Sequence, residues 1–338
     1  MAVDLFHWRA LTTAINQIPG VSSFLLDKVF RTREQHLAED IDVDILVGGK
    51  KLAPFVSPIE GGVVISNLGR KMQTVKTPRL RPKKVLTAPE LLTVRGVGAE
   101  LYVGEGGPDE QRRQKTGLEL QDLRNIIDRT MEWMAAQALQ GSLQVSQENI
   151  AFEIDFLLPN THKPVLTSTD LWTDVTTPSK PLDDIRTWRR LISNATGLTA
   201  DTALVGHEAA SALLNHTKIR EMLNARALDI GALSYGSANY IGTLLGVALY
   251  EYDAQFANAA GVATEFIPAD SFILYASAAP FSLHFGPIMD LDLGVTSAMP
   301  YFSKQWTTPD PSLLWMLAES RPLPVPHWPE AIVFATVV

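Results

Sequence analysis

The sequence predicts an α+β fold, and three observations carry that prediction. One uninterrupted helical period runs from Asp109 to Gln140, and a proline-rich span, residues 50–108, precedes it. The strands that follow mix with helices without the regular βαβ repeat of a parallel sheet. At 338 residues the chain has the length of about two domains and can bury a sizeable core. Apolar residues make up 46% and charged residues 20%, which argues against wholesale disorder. The chain has no cysteine, which excludes disulfide frameworks, thiolate metal sites, iron–sulfur clusters and thiol nucleophiles.

Residues 1–40 read as a helical or irregular arm. Phe24, Leu25, Leu26, Val29 and Phe30 recur in it at roughly helical spacing, and Pro19-Gly20 interrupts it. Ile41 to Ile45 alternates strictly and predicts a strand whose exposed face carries Asp42 and Asp44, a pattern that suits an edge. Gly48-Gly49 then turns the chain. Six prolines between 50 and 108 (Pro54, Pro58, Pro78, Pro82, Pro89, Pro108) leave few residues for a core. Val63–Ile65 and Met72–Lys76 read as two short strands around the turn Ser66-Asn67-Leu68-Gly69. A hairpin with no domain beneath it is marginal in water, so this span lies on something else. Its length points to a function.

In the long helix, Leu120, Leu123, Ile127, Met131, Met134 and Ala138 are spaced by three and four and form one apolar stripe. Pro108 marks its start and Gly141 its end. At ~1.5 Å per residue it is about 48 Å long, so it lies across a sheet or along a neighbour. Phe152 to Phe156 alternates and predicts a strand. Asp183 to Ala195 predicts a second helix, N-capped near Asp183-Asp184. Thr202–Val205 reads as a strand and His207–Arg226 as helical; strands follow at Thr243–Tyr252, Thr264–Ile267 and Phe272–Ala276. After Pro300, short apolar strands alternate with prolines, ending in Ala331–Val338.

Two uncharged runs, Ile230–Tyr250 and Ser271–Met289, approach the roughly 20 residues that span a bilayer. Glycines and polar residues in the first and prolines in the second, with no flanking Lys/Arg cluster, predict buried strands and loops instead. The N-terminus lacks the basic and apolar regions of a secretory leader.

Charge is uneven. Lys and Arg total 29 and Asp and Glu 37, a net charge of −8. From Gly231 to Val338 there are two basic residues, Lys304 and Arg321, against nine acids. Gly61 to Lys84 contains Arg70, Lys71, Lys76, Arg79, Arg81, Lys83 and Lys84 and no acid. Three readings of this tract stand. It is a phosphate-binding patch, although it has no aromatic residue for base stacking and the whole chain is acidic; or a solvated loop; or it pairs with an acidic surface of an identical neighbour.

Catalytic motifs end in near misses. His207-Glu208-Ala209-Ala210-Ser211 has Ser211 where H-E-x-x-H needs its second ligand. Gly231 sits one position too early for a nucleophile elbow around Ser234. Gly96-Val97-Gly98-Ala99-Glu100-Leu101 has Leu101 in place of the third glycine of a dinucleotide fingerprint. Asp42/Asp44 and Asp290/Asp292 are i,i+2 pairs of the kind found on solvated faces. The seven histidines, at 7, 36, 162, 207, 216, 284 and 327, read as isolated polar residues. No catalytic, cofactor or metal residue is assigned.

Three segments, Phe55-Val56-Ser57-Pro58-Ile59, Gly61-Gly62-Val63-Val64-Ile65 and Thr77-Pro78-Arg79-Leu80-Arg81-Pro82-Lys83, resemble the extended-loop region of lambda-type tailed-phage major capsid (head) proteins, the capsid protein E family. The helix from Asp109 to Gln140 is similar to their spine helix in position and length. Trp306-Thr307-Thr308-Pro309-Asp310-Pro311 and Ser320-Arg321-Pro322-Leu323 resemble their closing segment. The ordered set spans the chain; from about Thr161 to Gly261 it matches in predicted elements alone.

The resemblance implies the major capsid fold that tailed phages share with herpesviruses. Residues 1–47 become an N-terminal arm and 48–108 the extended loop. A peripheral domain takes 109–182, with spine helix 109–140, and 281–338; an axial domain takes 183–280. The implied function is a non-enzymatic capsid subunit that assembles as hexamers and pentamers into an icosahedral head around double-stranded DNA, in the host cytoplasm and then in the virion. The implied partners are further copies of itself, decoration, scaffolding and portal proteins, and packaged DNA through non-specific contact, with no membrane and no cofactor. Arg70, Lys71, Lys76, Arg79, Arg81, Lys83 and Lys84 are the candidates for contacts between subunits, with Arg79, Arg81, Lys83 and Lys84 the first choice for intersubunit salt bridges. No Lys–Asn crosslink is expected. The alternative is a hydrolase or metal enzyme with a noncontiguous site.

Overall fold

The computed structural model describes residues 7–20, 23–47, 69–87, 90, 108–147, 150–173, 180–217, 219, 233–235, 238–257, 261–293 and 297–338. Four helices run through them: α1 (Trp8–Gln17), α2 (Pro108–Leu139), α3 (Pro181–Thr196) and α4 (His207–Asn215). A π-helical turn, Leu25–Val29, follows α1. None of the described helices is long and apolar enough to cross a membrane.

Helix α2 is 32 residues long and ends before Gly141, as the periodicity predicts. Leu120, Leu123, Ile127, Met131, Met134 and Ala138 are all buried. Each large apolar side chain so buried stabilises the fold by about 1.5–3 kcal/mol. The stripe packs on the strand Pro322–Pro326, the turn Leu25–Val29 and the strand Ser142–Gln147. The last forms a hairpin with Ile150–Asp155, which holds most of the predicted alternating strand.

The largest sheet has six strands in the order Ile332–Thr336, Ser271–Tyr275, Thr202–Val205, Val247–Tyr252, Ala238–Leu244, Leu233–Tyr235. Only the pairing of Thr202–Val205 with Val247–Tyr252 is parallel. Helix α3 packs on Ser271–Tyr275 and Ile332–Thr336, and α4 on Ser271–Tyr275 and Val247–Tyr252. Trp172, Trp188 and Phe272 cluster under α3 with ring centroids 5.3–6.0 Å apart. The C-terminal strand thus belongs to the sheet built from residues 202–275.

Four expectations are corrected here. The strand predicted over Thr243–Tyr252 is two antiparallel strands, because Leu245 (φ 53°) and Gly246 (φ 77°) both adopt left-handed backbone and reverse the chain. Helix α3 begins at Pro181, with Asp183 and Asp184 in its first turn rather than at the cap. The helix at His207 ends at Asn215; the rest of the predicted stretch, except 216, 217 and 219, lies outside the described residues. Met72–Lys76 lies in the strand Gly69–Lys76, which pairs over its whole length with Asp40–Val47, so its described partner is the alternating acidic strand. Val63–Ile65 lies outside the described residues.

Two three-stranded sheets also belong to the described residues. Thr32–Gln35, Phe281–Phe285 and Pro322–Pro326 form one, and Phe302–Thr308, Leu313–Glu319 and Lys83–Thr87 form the other. Gly286 follows the first sheet's central strand, and a Cβ built there would collide with the side chain of buried Thr77. Gly286→Ala is therefore expected to lower stability by about 1–3 kcal/mol through overpacking. Thr77→Gly in the same chain should restore part of the loss, as read by calorimetric melting; a Gly286→Ala protein that melts like the wild type would refute this contact.

Candidate assembly site at the root of the proline-rich span

The proline-rich span is held at both described ends. Gly69–Lys76 zips onto Asp40–Val47, and Lys83–Thr87 adds an antiparallel edge strand to Leu313–Glu319. Between these strands, Leu80 exchanges backbone hydrogen bonds with Ser320 at 2.9 and 3.0 Å. Pro78 and Pro82 flank this point, where the prolines' lack of an N–H suits a bridge one residue long.

Glu319 stands at the centre. Its side chain has no solvent exposure, and a buried carboxylate must be paired to stay ionised. Arg79 supplies a two-pronged contact, Nε donating to Oε1 at 2.6 Å and Nη2 to Oε2 at 2.9 Å. Arg81 adds Nε against Oε2 at 3.1 Å and reaches Asp290 with Nη2 at 3.3 Å. Lys304 then donates to Asp290 Oδ1 at 2.8 Å and to Asp292 Oδ2 at 3.0 Å. The hydrogen bond from Arg79 to Glu319 holds the guanidinium above its usual pKa, against the opposing effect of burial. At Asp290 burial favours the neutral acid, but the bonds from Lys304 and from the Asp292 backbone win and lower its pKa.

A second anchor lies on α2. Lys84 pairs with Glu119 at 2.7 Å and with Asp122, and Lys115 also reaches Glu119 at 2.8 Å. Burial opposes the charge on Lys84, yet the two carboxylates raise its pKa. Lys83 lies over the Trp315 ring at 5.1 Å, and Trp315 stacks on Trp306 with centroids 6.0 Å apart. Lys71 and Lys76 are exposed on the ribbon and make no ion pair among the described residues. Arg70 faces Leu46 in the register. Of the seven predicted contact residues, the structure joins Arg79, Arg81, Lys83 and Lys84 to the body of the same chain.

Sequence reasoning missed the acidic partners of this network. The excess of acid after residue 230 was visible as a sum, but Glu319 ends an otherwise apolar strand, and its partners are some 240 residues away. A second polar row, Arg124, Asp128 and Glu132, lies buried on α2 at i, i+4 and i+8, beside the apolar stripe. Arg124 donates to the carbonyls of Ile15 (2.5 Å) and Ile18, groups left without helical partners at the end of α1. Glu132 accepts from Leu25 N (2.8 Å), Leu26 N (3.1 Å) and the Tyr252 hydroxyl (2.8 Å). Burial raises the pKa of Asp128 and Glu132, against hydrogen bonds from Tyr301 and from the Leu25 backbone respectively. These bonds pin the N-terminal segment along the helix.

The reading of every histidine as isolated also fails, at His207, whose Nδ1 lies 3.1 Å from Glu265 Oε1, and at one cluster. His36, His284 and His327 converge, with Glu34 beside them. Strand pairing brings together residues that are remote in sequence.

The family model for phage major capsid protein E matches residues 7–337. A protein assigned as a capsid protein of a prophage of E. coli CFT073 superposes with a TM-score of 0.75 at 19% identity, over 98% of this chain and 99% of that one. A phage-related protein of Bordetella bronchiseptica RB50 gives 0.57 at 15% identity, over 97% and 96%. The SrpI encapsulin of Synechococcus elongatus PCC 7942 gives 0.50 at 11% identity, over 93% and 87%. At these identities the likeness is one of fold. No curated protein matches the chain.

Two outcomes are expected of the network. Arg79→Ala with Arg81→Ala leaves Glu319 unpaired where water cannot reach it and should cost about 3–5 kcal/mol in denaturant unfolding. Glu319→Gln should cost less, because both guanidinium groups are about one-third exposed and can rehydrate; equal costs would contradict the assignment of the buried charge. The pH dependence follows from the lowered pKa values of Asp290 and Glu119. A carboxyl whose folded pKa is depressed adds stability above its unfolded value near 4 and loses it as pH falls through the folded value. The melting temperature should therefore drop below about pH 4, and Asp290→Asn should lower it at neutral pH while flattening that drop; parallel curves would count against the ion pairs.

Proposed function

The chain belongs to the phage major capsid protein E family, and we propose that it assembles as hexamers and pentamers into an icosahedral head enclosing double-stranded DNA. Its role is structural and not enzymatic, that of a subunit that associates with copies of itself to build a shell. This sets aside the hydrolase or metal-enzyme alternative. The observation that carries the reading is the family match, which runs from residue 7 to 337.

On this reading residues 1–47 are the N-terminal arm and 48–108 the extended loop, with 109–182 and 281–338 as peripheral domain and 183–280 as axial domain. Ile332–Thr336 then crosses from the peripheral segment into the axial sheet, so the two domains share a strand. Scaffolding, portal and decoration proteins are its expected partners, and the host cytoplasm its place of assembly. DNA meets the shell through non-specific contact.

The seven basic residues divide by task. Arg79, Arg81, Lys83 and Lys84 fix the loop's root to its own subunit, and Lys71 and Lys76, with Arg70 on the same strand, serve neighbouring copies. Single exposed pairs contribute only about 0–1 kcal/mol. A closed symmetric shell repeats the same contact at every equivalent interface, so small terms accumulate.

Negative-stain microscopy of the purified protein should show rings of five or six and uniform polyhedral shells; a monodisperse monomer under all conditions would overturn the proposal. Lys71→Gln with Lys76→Gln should reduce assembly yield and alter its salt dependence. An unchanged yield would remove these two residues from the interface.

A further inference from the structure

The strand Thr32–Gln35 runs parallel to Phe281–Phe285, with Glu34 paired to His284. His36 N donates to Phe285 O at 2.9 Å and extends the ladder by one residue. Glu34 and His36, two apart, therefore lie on the face of the sheet that carries His284. Glu34 Oε2 stands 3.5 Å from His284 Nδ1 and 4.0 Å from His36 Nε2, and the two ring nitrogens are 2.8 Å apart. All three atoms lie within 4.8 Å of one another.

We propose that Glu34, His36 and His284 form a structural zinc site, one ion per subunit, with His327 as the group that orients His284. A tetrahedral ion with bonds of about 2.0–2.1 Å places its ligand atoms about 3.3–3.4 Å apart, and the three observed separations bracket that value. The closest pair, the two ring nitrogens, must open by roughly half an ångström, and the Glu34 oxygen must move inward by about as much, to reach that spacing. Two imidazoles and one carboxylate suit zinc and its borderline neighbours rather than calcium or magnesium, which take oxygen shells.

The surroundings fit a metal ligand set. With Nδ1 of His284 on the ion, its Nε2 carries the proton and points at His327 Nε2, 3.4 Å away, which accepts it. His284 is nearly fully buried, so its ring is held in place, while Glu34 and His36 are 47% and 30% exposed and give an ion and a completing water access from solvent. The site ties the segment after the π-helical turn to the central strand of the sheet. It uses none of the residues of the loop root and does not depend on how the subunits assemble.

The test is direct metal binding by the full chain. After dialysis against zinc chloride and removal of loose metal, the wild type should retain one zinc per chain and melt at a higher temperature. Cobalt(II) in its place should give the intense visible absorption of a four-coordinate ion. His327→Ala should lower zinc affinity about 10-fold, and Glu34→Gln or His36→Ala should lower it further while leaving the circular dichroism spectrum unchanged, since both side chains reach solvent. A wild type that retains no more zinc than His36→Ala, or cobalt that stays six-coordinate, overturns the site.

Discussion

A carboxylate removed from water has to be matched where it stands, and most of this fold follows from meeting that condition at a few places. Glu319 is the sharpest case, with no exposure and two guanidinium groups converging on it. Because those groups sit at 79 and 81, pairing them with the end of Leu313–Glu319 brings the far side of the proline-rich span onto the C-terminal sheet. Glu132 applies the same condition to the N-terminal segment, whose backbone donors at Leu25 and Leu26 have no better acceptor than that one side chain. Apolar burial supplies most of the stability. Yet an apolar stripe alone does not say which segment lies where along a helix some 48 Å long. Discrete charge and hydrogen-bond partners fix that register.

The same distinction explains how much of the fold was legible in the residues. Helix α2 was readable because its signal is local: six apolar side chains at spacings of three and four report one buried face. Its second buried row, Arg124, Asp128 and Glu132, was hidden, because at i, i+4 and i+8 charged residues look the same on a solvated face as against buried partners. The turn inside the predicted strand Thr243–Tyr252 is hard to read from sequence because Leu245, with φ of 53°, is not a residue that announces left-handed backbone. At the candidate site the basic tract stood out, since seven cations without an acid form a contiguous signal. Their acidic partners at 290 and 319 did not, because a sum over a hundred residues carries no geometry. The histidine cluster was invisible for the same reason.

Pairing within the chain changes what the basic tract is for. Charge complementarity between an overall balanced N-terminal part and an acidic C-terminal third suggests contact between copies, yet the structure satisfies a large share of it inside one subunit. A subunit that docks a long arm on its neighbours gains from this arrangement. An arm that moves freely at its root loses configurational entropy on docking, and interfaces weaken when segments must be ordered as they form. Arg79, Arg81 and Lys84 hold the root of the span within the chain itself. Lys71 and Lys76 stay exposed along the ribbon that this root holds.

The loop root and the histidine cluster are parts of one continuous piece of structure. The chain leaves the first small sheet at His36 and enters the ribbon at Asp40, so only three residues separate the two. Within that stretch Glu39 pairs with Arg321 at 3.3 Å, two residues beyond Glu319. Arg321 O in turn accepts from Gly286 N at 2.8 Å, two residues beyond His284. Thr77, where the ribbon ends, packs on that same Gly286. His284 thus lies two residues from Gly286, which touches structure at both the start and the end of the ribbon. Coupling through packed elements requires such contiguity. In a closed symmetric shell equivalent contacts repeat only where every copy presents the same surface.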